Sequence, residues 1–129
     1  MKFIIIIQIR LNDNRYIKFI DDIDLTIIGM KESDSNIKDI DFLYYDLNYK
    51  TGYEQYLNLN VFTLQYPKGK EAYAKGKIIQ IFKEKNNYGF THNIKTDHGS
   101  SGCPIIIDNP LRAIGIHKGG DESLKINYG

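Results

Sequence analysis

The segment Gly99-Ser100-Ser101-Gly102-Cys103-Pro104 constrains the backbone of this 129-residue chain more than any other. Two glycines and a proline within six residues demand tight turns rather than regular structure. Gly99 lets the chain turn so that the N–H groups of Gly99 and Ser101 point to one spot. Such a pair stabilises the negative charge that develops on an attacked carbonyl, and one donor of this kind contributes about 3–4 kcal/mol in the transition state. Gly102 admits close approach of another chain, and Pro104 sets the exit into the apolar run Ile105-Ile106-Ile107. Ser101 is therefore a candidate nucleophile. A plain glycine-rich turn between two strands would also explain the hexapeptide.

Turn signals divide the rest of the chain into short, β-branched segments, and no long apolar pattern of helical period is present, so the fold is read as mainly β. Met1–Arg10 carries four consecutive isoleucines but ends in Arg10 without a small-residue cleavage site. It reads as a strand and not as a targeting segment, and it is too short to span a bilayer. Asn12-Asp13-Asn14 separates it from a strand at 16–20, and Asp21-Asp22 separates that from a strand at 25–30. Residues 31–58 are polar, tyrosine-rich and weakly periodic, as a connection would be. Further strands follow at 59–64, at 77–83 and 88–94 across Glu84–Asn87, and at 105–107 and 113–117 across Asp108-Asn109-Pro110.

Several stretches, in order, resemble the trypsin-like serine peptidases, and among them the glutamyl endopeptidases. They are Asp22-Ile23-Asp24-Leu25-Thr26-Ile27-Ile28, Gln65-Tyr66-Pro67-Lys68-Gly69 and Lys75-Gly76-Lys77-Ile78, then the run Thr96–Pro104 and Ile114-Gly115-Ile116-His117. Gln65 departs from the glycine usual in that family's turn. The resemblance implies a double antiparallel β-barrel with only part of the N-terminal barrel present and both ends cut. Residues 1–30 would be closing strands of the first barrel, 31–58 the connection, and 59–129 the second barrel with nucleophile and specificity pocket.

The resemblance also implies roles. Ser101 would attack, Asp24 would orient the catalytic imidazole, and the Gly99 and Ser101 N–H groups would form the oxyanion hole. His117, Thr96 and Gly119 would line the substrate site, with His117 and Thr96 receiving a Glu or Asp side chain before the scissile bond. A solvated acidic turn at Asp21–Asp24 is the plainer account of Asp24. It is preferred as the orienting carboxylate because an apolar run follows it directly, at the mouth of a buried strand. Ser100 stands where trypsin-like zymogens carry the Asp that binds a freed N-terminus, which argues against that activation route.

The base is missing from this set. A chymotrypsin-type triad runs His, Asp, Ser, with roughly 45 residues between the first two. All three histidines, His92, His98 and His117, follow Asp24, so the resemblance places the catalytic histidine upstream of Met1. His98 stands too near Ser101 in a tight turn to face it, and His92 reads as a strand residue in a cross-strand polar contact.

Net charge is +1 with both signs interspersed, which is no footprint for nucleic acid. A single cysteine excludes an internal disulfide, and Cys103 reads as a small filler. No metal, organic cofactor or membrane partner is expected, and the compartment and oligomeric state are left open. Two functions follow. One is a serine endopeptidase acting on peptide or protein substrates; the other is an inactive relative that binds peptides or regulates through the retained pocket.

Overall fold

The computed structural model describes residues 9–12, 14–34, 37–39, 41–84, 87–121 and 126–129. The strand expected at Met1–Arg10 lies outside them but for Ile9 and Arg10, which are irregular and exposed. Of the described residues 43% are in strands and 15% in helical turns, so the protein is mainly β. Two compact units meet at the Phe42–Leu43 bond. That division falls inside the stretch 31–58 read as a connection, and residues 43–58 belong to the second unit.

The first unit holds an antiparallel ribbon of β1 (Ile17–Ile20) and β2 (Leu25–Ile28), with Ile17 opposite Ile28 and Ile20 opposite Leu25. The turn Asp21–Ile23 joins them and ends at Asp24, whose N–H donates to the Asp21 carbonyl at 3.1 Å. Arg15 anchors the ribbon. Its guanidinium pairs with both Asp34 carboxylate oxygens and donates to the Gly29 and Arg10 carbonyls. That hydrogen bonding, with the Lys31 N–H, holds the Asp34 carboxyl well below the usual range. The buried strand expected after Asp24 is not found: Ile27 and Ile28 are 41% and 40% exposed. A two-stranded ribbon has too few neighbours to cover its apolar side chains.

The second unit is a curled antiparallel half-barrel sheet. Its strands are β3 (Asn60–Gln65), β4 (Ala72–Glu84), β5 (Asn87–His92), β6 (Pro104–Ile107), β7 (Arg112–Ile116), β8 (Gly119–Asp121) and β9 (Ile126–Tyr128), in the spatial order β7-β6-β3-β4-β5-β9-β8. β4 begins five residues before the expected Lys77, because Ala72, Ala74 and Gly76 are small and give little hydrophobic alternation. Its first half pairs with β3 and its second with β5, and a register shift between Ile78 and Gln80 bends it between the two. The backbone crosses closely here: a Cβ on Gly76 would lie 2.6 Å from the Ile94 nitrogen.

The two outermost strands of this sheet, β7 and β8, are consecutive in the chain. Only His117 and Lys118 separate them, and so short a link spans at most about 10 Å. The sheet therefore curls until its two ends meet at that dipeptide. Part of the exposed edge of β7 is covered by residues 44–46, where Ala113 donates to the Tyr44 carbonyl and accepts from Asp46 N–H, both at 2.9 Å. Tyr56 ties this segment down, its buried hydroxyl donating to Asp46 at 2.6 Å.

The core is Val61, Ile78, Ile94, Ile105 and Ile107, with Ala74, Ile81, Phe90 and Ile114 packed against it. Because Ile78 and Ile105 are fully buried, Ile78→Ala or Ile105→Ala is expected to cost about 2–5 kcal/mol. Ile27→Ala on the exposed ribbon should cost under about 1 kcal/mol. Urea denaturation of the three variants checks this.

Candidate active site

The Gly99–Gly102 loop hangs from the β6–β7 ladder. Beyond the Pro104–Ile116 pair the ladder continues, with His117 N–H donating to the Cys103 carbonyl and Gly102 N–H to the His117 carbonyl, both at 2.8 Å. Gly102 turns the chain at φ 85° and Gly99 turns it again at φ 91°, a region that favours glycine. At Gly99 there is also no room for a side chain, since a Cβ would lie 3.0 Å from the Tyr66 carbonyl oxygen. Between the glycines, Ser100 is fully buried and closes a turn on Asp97. Its N–H donates to the Asp97 carbonyl at 3.0 Å, and its hydroxyl accepts the Asp97 N–H at 3.2 Å.

Ser101 is exposed, and its hydroxyl donates to the Lys118 carbonyl at 3.1 Å. Among the described residues the N–H groups of Gly99 and Ser101 donate to no acceptor. The neighbouring Ser100 and Gly102 N–H groups are both committed. The loop thus combines a solvent-facing hydroxyl with two uncommitted donors on a backbone that other bonds hold in shape. Two such donors can stabilise a developing oxyanion.

His117 and His92 form a buried pair, 3% and 0% exposed, with His92 Nε2 3.2 Å from His117 Nδ1 and the rings edge to face. The Ile94 N–H donates to His92 Nδ1 at 3.3 Å. Neutral His92 must then carry its proton on Nε2 and donate it to His117 Nδ1. His117 in turn carries its own proton on Nε2, the nitrogen turned away from His92. Burial, and then the neighbouring His117, push the His92 imidazole down to about 4. Burial also lowers His117, opposed by hydrogen bonding to the Tyr128 backbone.

Thr96 donates its hydroxyl proton to Asn127 Oδ1 at 2.7 Å, and Asn127 Nδ2 donates to the Ile94 carbonyl at 2.8 Å. No hydrogen bond joins Thr96 to His117. Both donors expected for a carboxylate are occupied: Thr96 by Asn127 and the His117 Nε2 proton by the Tyr128 backbone. Gly119 opens β8 opposite Tyr128, and Gly120 lies opposite Asn127. Asn127 also pairs with His92 in the sheet, so one residue links both sides of the expected pocket.

Asp24 lies in the first unit, exposed, at a left-handed residue (φ 54°, ψ 49°), and its carboxylate makes no hydrogen bond among the described residues. None of the three histidines is hydrogen-bonded to Ser101. Sequence reasoning missed the His92–His117 partnership and the roles of Asn127 and Tyr66. Of these only His92 carried a signal, as a strand residue expected to make a cross-strand polar contact with no partner named. Among the described residues no group of three His, Cys, Asp or Glu could hold a metal ion. Compared with known protein families and with curated proteins, the chain matches none.

An unfolded chain protonates its imidazoles as pH falls through about 6.5, whereas folded His92 resists until about 4. Stability present above pH 6.5 is therefore lost progressively between these two values. Thermal melts across that window should show a falling Tm in the wild type and a shallower fall in His92→Gln. An NMR titration placing His92 near its ordinary midpoint would contradict the buried neutral pair.

Proposed function

We propose that this chain carries the nucleophile and acidic-side-chain pocket of a trypsin-like serine endopeptidase of the glutamyl endopeptidase kind. One observation carries the reading: the uncommitted N–H groups of Gly99 and Ser101 beside an exposed serine hydroxyl on a loop braced by its own bonds. The curling of the sheet until its ends meet through His117 and Lys118 supports a barrel at 59–129. The double-barrel assignment belongs to the same proposal.

In this reading Ser101 Oγ attacks the peptide carbonyl carbon, and the carbonyl oxygen takes the negative charge between the two N–H groups. An imidazole accepts the Ser101 proton and returns it to the departing amine as the C–N bond breaks. Water then releases the acyl group by the same route. His117 would donate its Nε2 proton to a Glu or Asp side chain only by giving up its bond to the Tyr128 backbone, and Thr96 would join only by giving up its bond to Asn127. Asp24 orients the imidazole on the strength of the resemblance alone. The imidazole has to be supplied by a histidine other than the mutually bonded His92 and His117 or His98 in its tight turn.

A second reading draws on the same hydroxyl. Ser101 donates to a carbonyl and has no imidazole partner, as in a module that binds acidic peptides without cleaving them. Without its base a triad keeps only about 10³–10⁴ of rate over water. Reaction with a fluorophosphonate separates the two: the endopeptidase reading expects labelling that Ser101→Ala abolishes. No labelling, together with retained binding of a glutamate-terminated peptide, would establish the binding module instead.

A further inference from the structure

Lys68 occupies a backbone position that suits glycine. It sits in the left-handed region at φ 53°, ψ 32°, next to Gly69 at φ 74°. Non-glycine residues are uncommon there and strained, so a lysine implies a task for its side chain. The task is visible. The ammonium reaches Asp97 Oδ2 at 2.7 Å, while the Lys68 N–H donates to the His98 carbonyl at 2.8 Å. The other Asp97 oxygen accepts the His98 N–H at 2.7 Å. Tyr66, two residues before Lys68, supplies the carbonyl against which Gly99 packs.

From this geometry we infer that Lys68 is a positioning residue for the Gly99–Ser101 loop, clamping Asp97 and His98 so that the two N–H groups stay uncommitted. An isolated surface ion pair contributes little. This one joins two short segments that a second bond, between Lys68 N–H and the His98 carbonyl, already holds together, so much of the ordering cost is met beforehand. Ser100 and Asp97 then transmit the constraint to both flanks of the oxyanion donors. The inference deepens the endopeptidase reading and rests on it for the purpose of the clamp, though not for its geometry.

Amide hydrogen exchange by NMR on the full chain tests it in Lys68→Gly, Lys68→Arg and Asp97→Asn. Lys68→Gly relieves the backbone strain, so its Tm should match or exceed the wild type. The Ser100 and Cys103 N–H groups should nonetheless exchange about three- to fivefold faster, with Ile105–Ile107 unchanged. Lys68→Arg should restore the slow rates. Should Lys68→Gly fail to fold, Asp97→Asn removes the same ion pair from the other side and decides the matter. Unchanged exchange at Ser100 and Cys103, or equal loosening throughout β3–β5, overturns the clamp. If Ser101 reacts with fluorophosphonate, the rate should fall in Lys68→Gly alongside the loosening. Labelling absent from every variant counts against the peptidase reading, while the exchange rates still decide the clamp.

Discussion

His117 and Lys118 hold the second unit together at the point where its sheet meets itself. The His117 backbone bonds to both Cys103 and Gly102, and so carries the Gly99–Gly102 loop. The Lys118 carbonyl receives the Ser101 hydroxyl, and the Lys118 N–H donates to the Tyr128 carbonyl on β9. Meanwhile the His117 ring reaches inward to His92. Two residues thus connect the ends of the sheet, the loop and the buried imidazole pair. A change in how the sheet closes would be felt at Ser101 directly, without a moving element in between.

The interior turns polar along β3. Along β3 the inward residues are Val61, Thr63 and Gln65, of which only the first is apolar. Thr63 donates to the Pro104 carbonyl at 2.7 Å, and Gln65 Nε2 donates to the Lys95 carbonyl at 3.0 Å. Each braces a segment entering or leaving the candidate site. Gln65 Oε1 is buried with no partner among the described residues, a departure of the sort that costs about 1–3 kcal/mol. The Gln65 side chain therefore supports the approach to Thr96 at some expense in stability. Buried His92 adds to the same pattern, since it stays neutral and fixes the proton on its neighbour.

The turns of this fold were legible because glycine, proline and clustered Asn and Asp leave local marks. Gly99, Gly102 and Pro104 announced the loop, and the β-branched runs announced β3, β6 and β7 to within a residue or two. The start of β4 was not legible, because Ala72, Ala74 and Gly76 pack by being small and leave no alternation to read. Nor did a single sequence reveal long-range pairs. Nothing local marks His92 as the partner of His117, or Lys68 as the partner of Asp97. The exposure of β2 was missed for a related reason: an apolar run looks the same whether or not the fold supplies something to cover it.

In the proposed function the Gly99 and Ser101 N–H groups act together as an anion-stabilising pair. Titration of the isotope-labelled chain with a short peptide ending in glutamate, followed by amide NMR, tests this without requiring any reaction. Both amide protons should move downfield together, with a common midpoint, as the carboxylate takes their hydrogen bonds. Movement of neither, or saturation of the chain with peptide while both resonances stay in place, would contradict it.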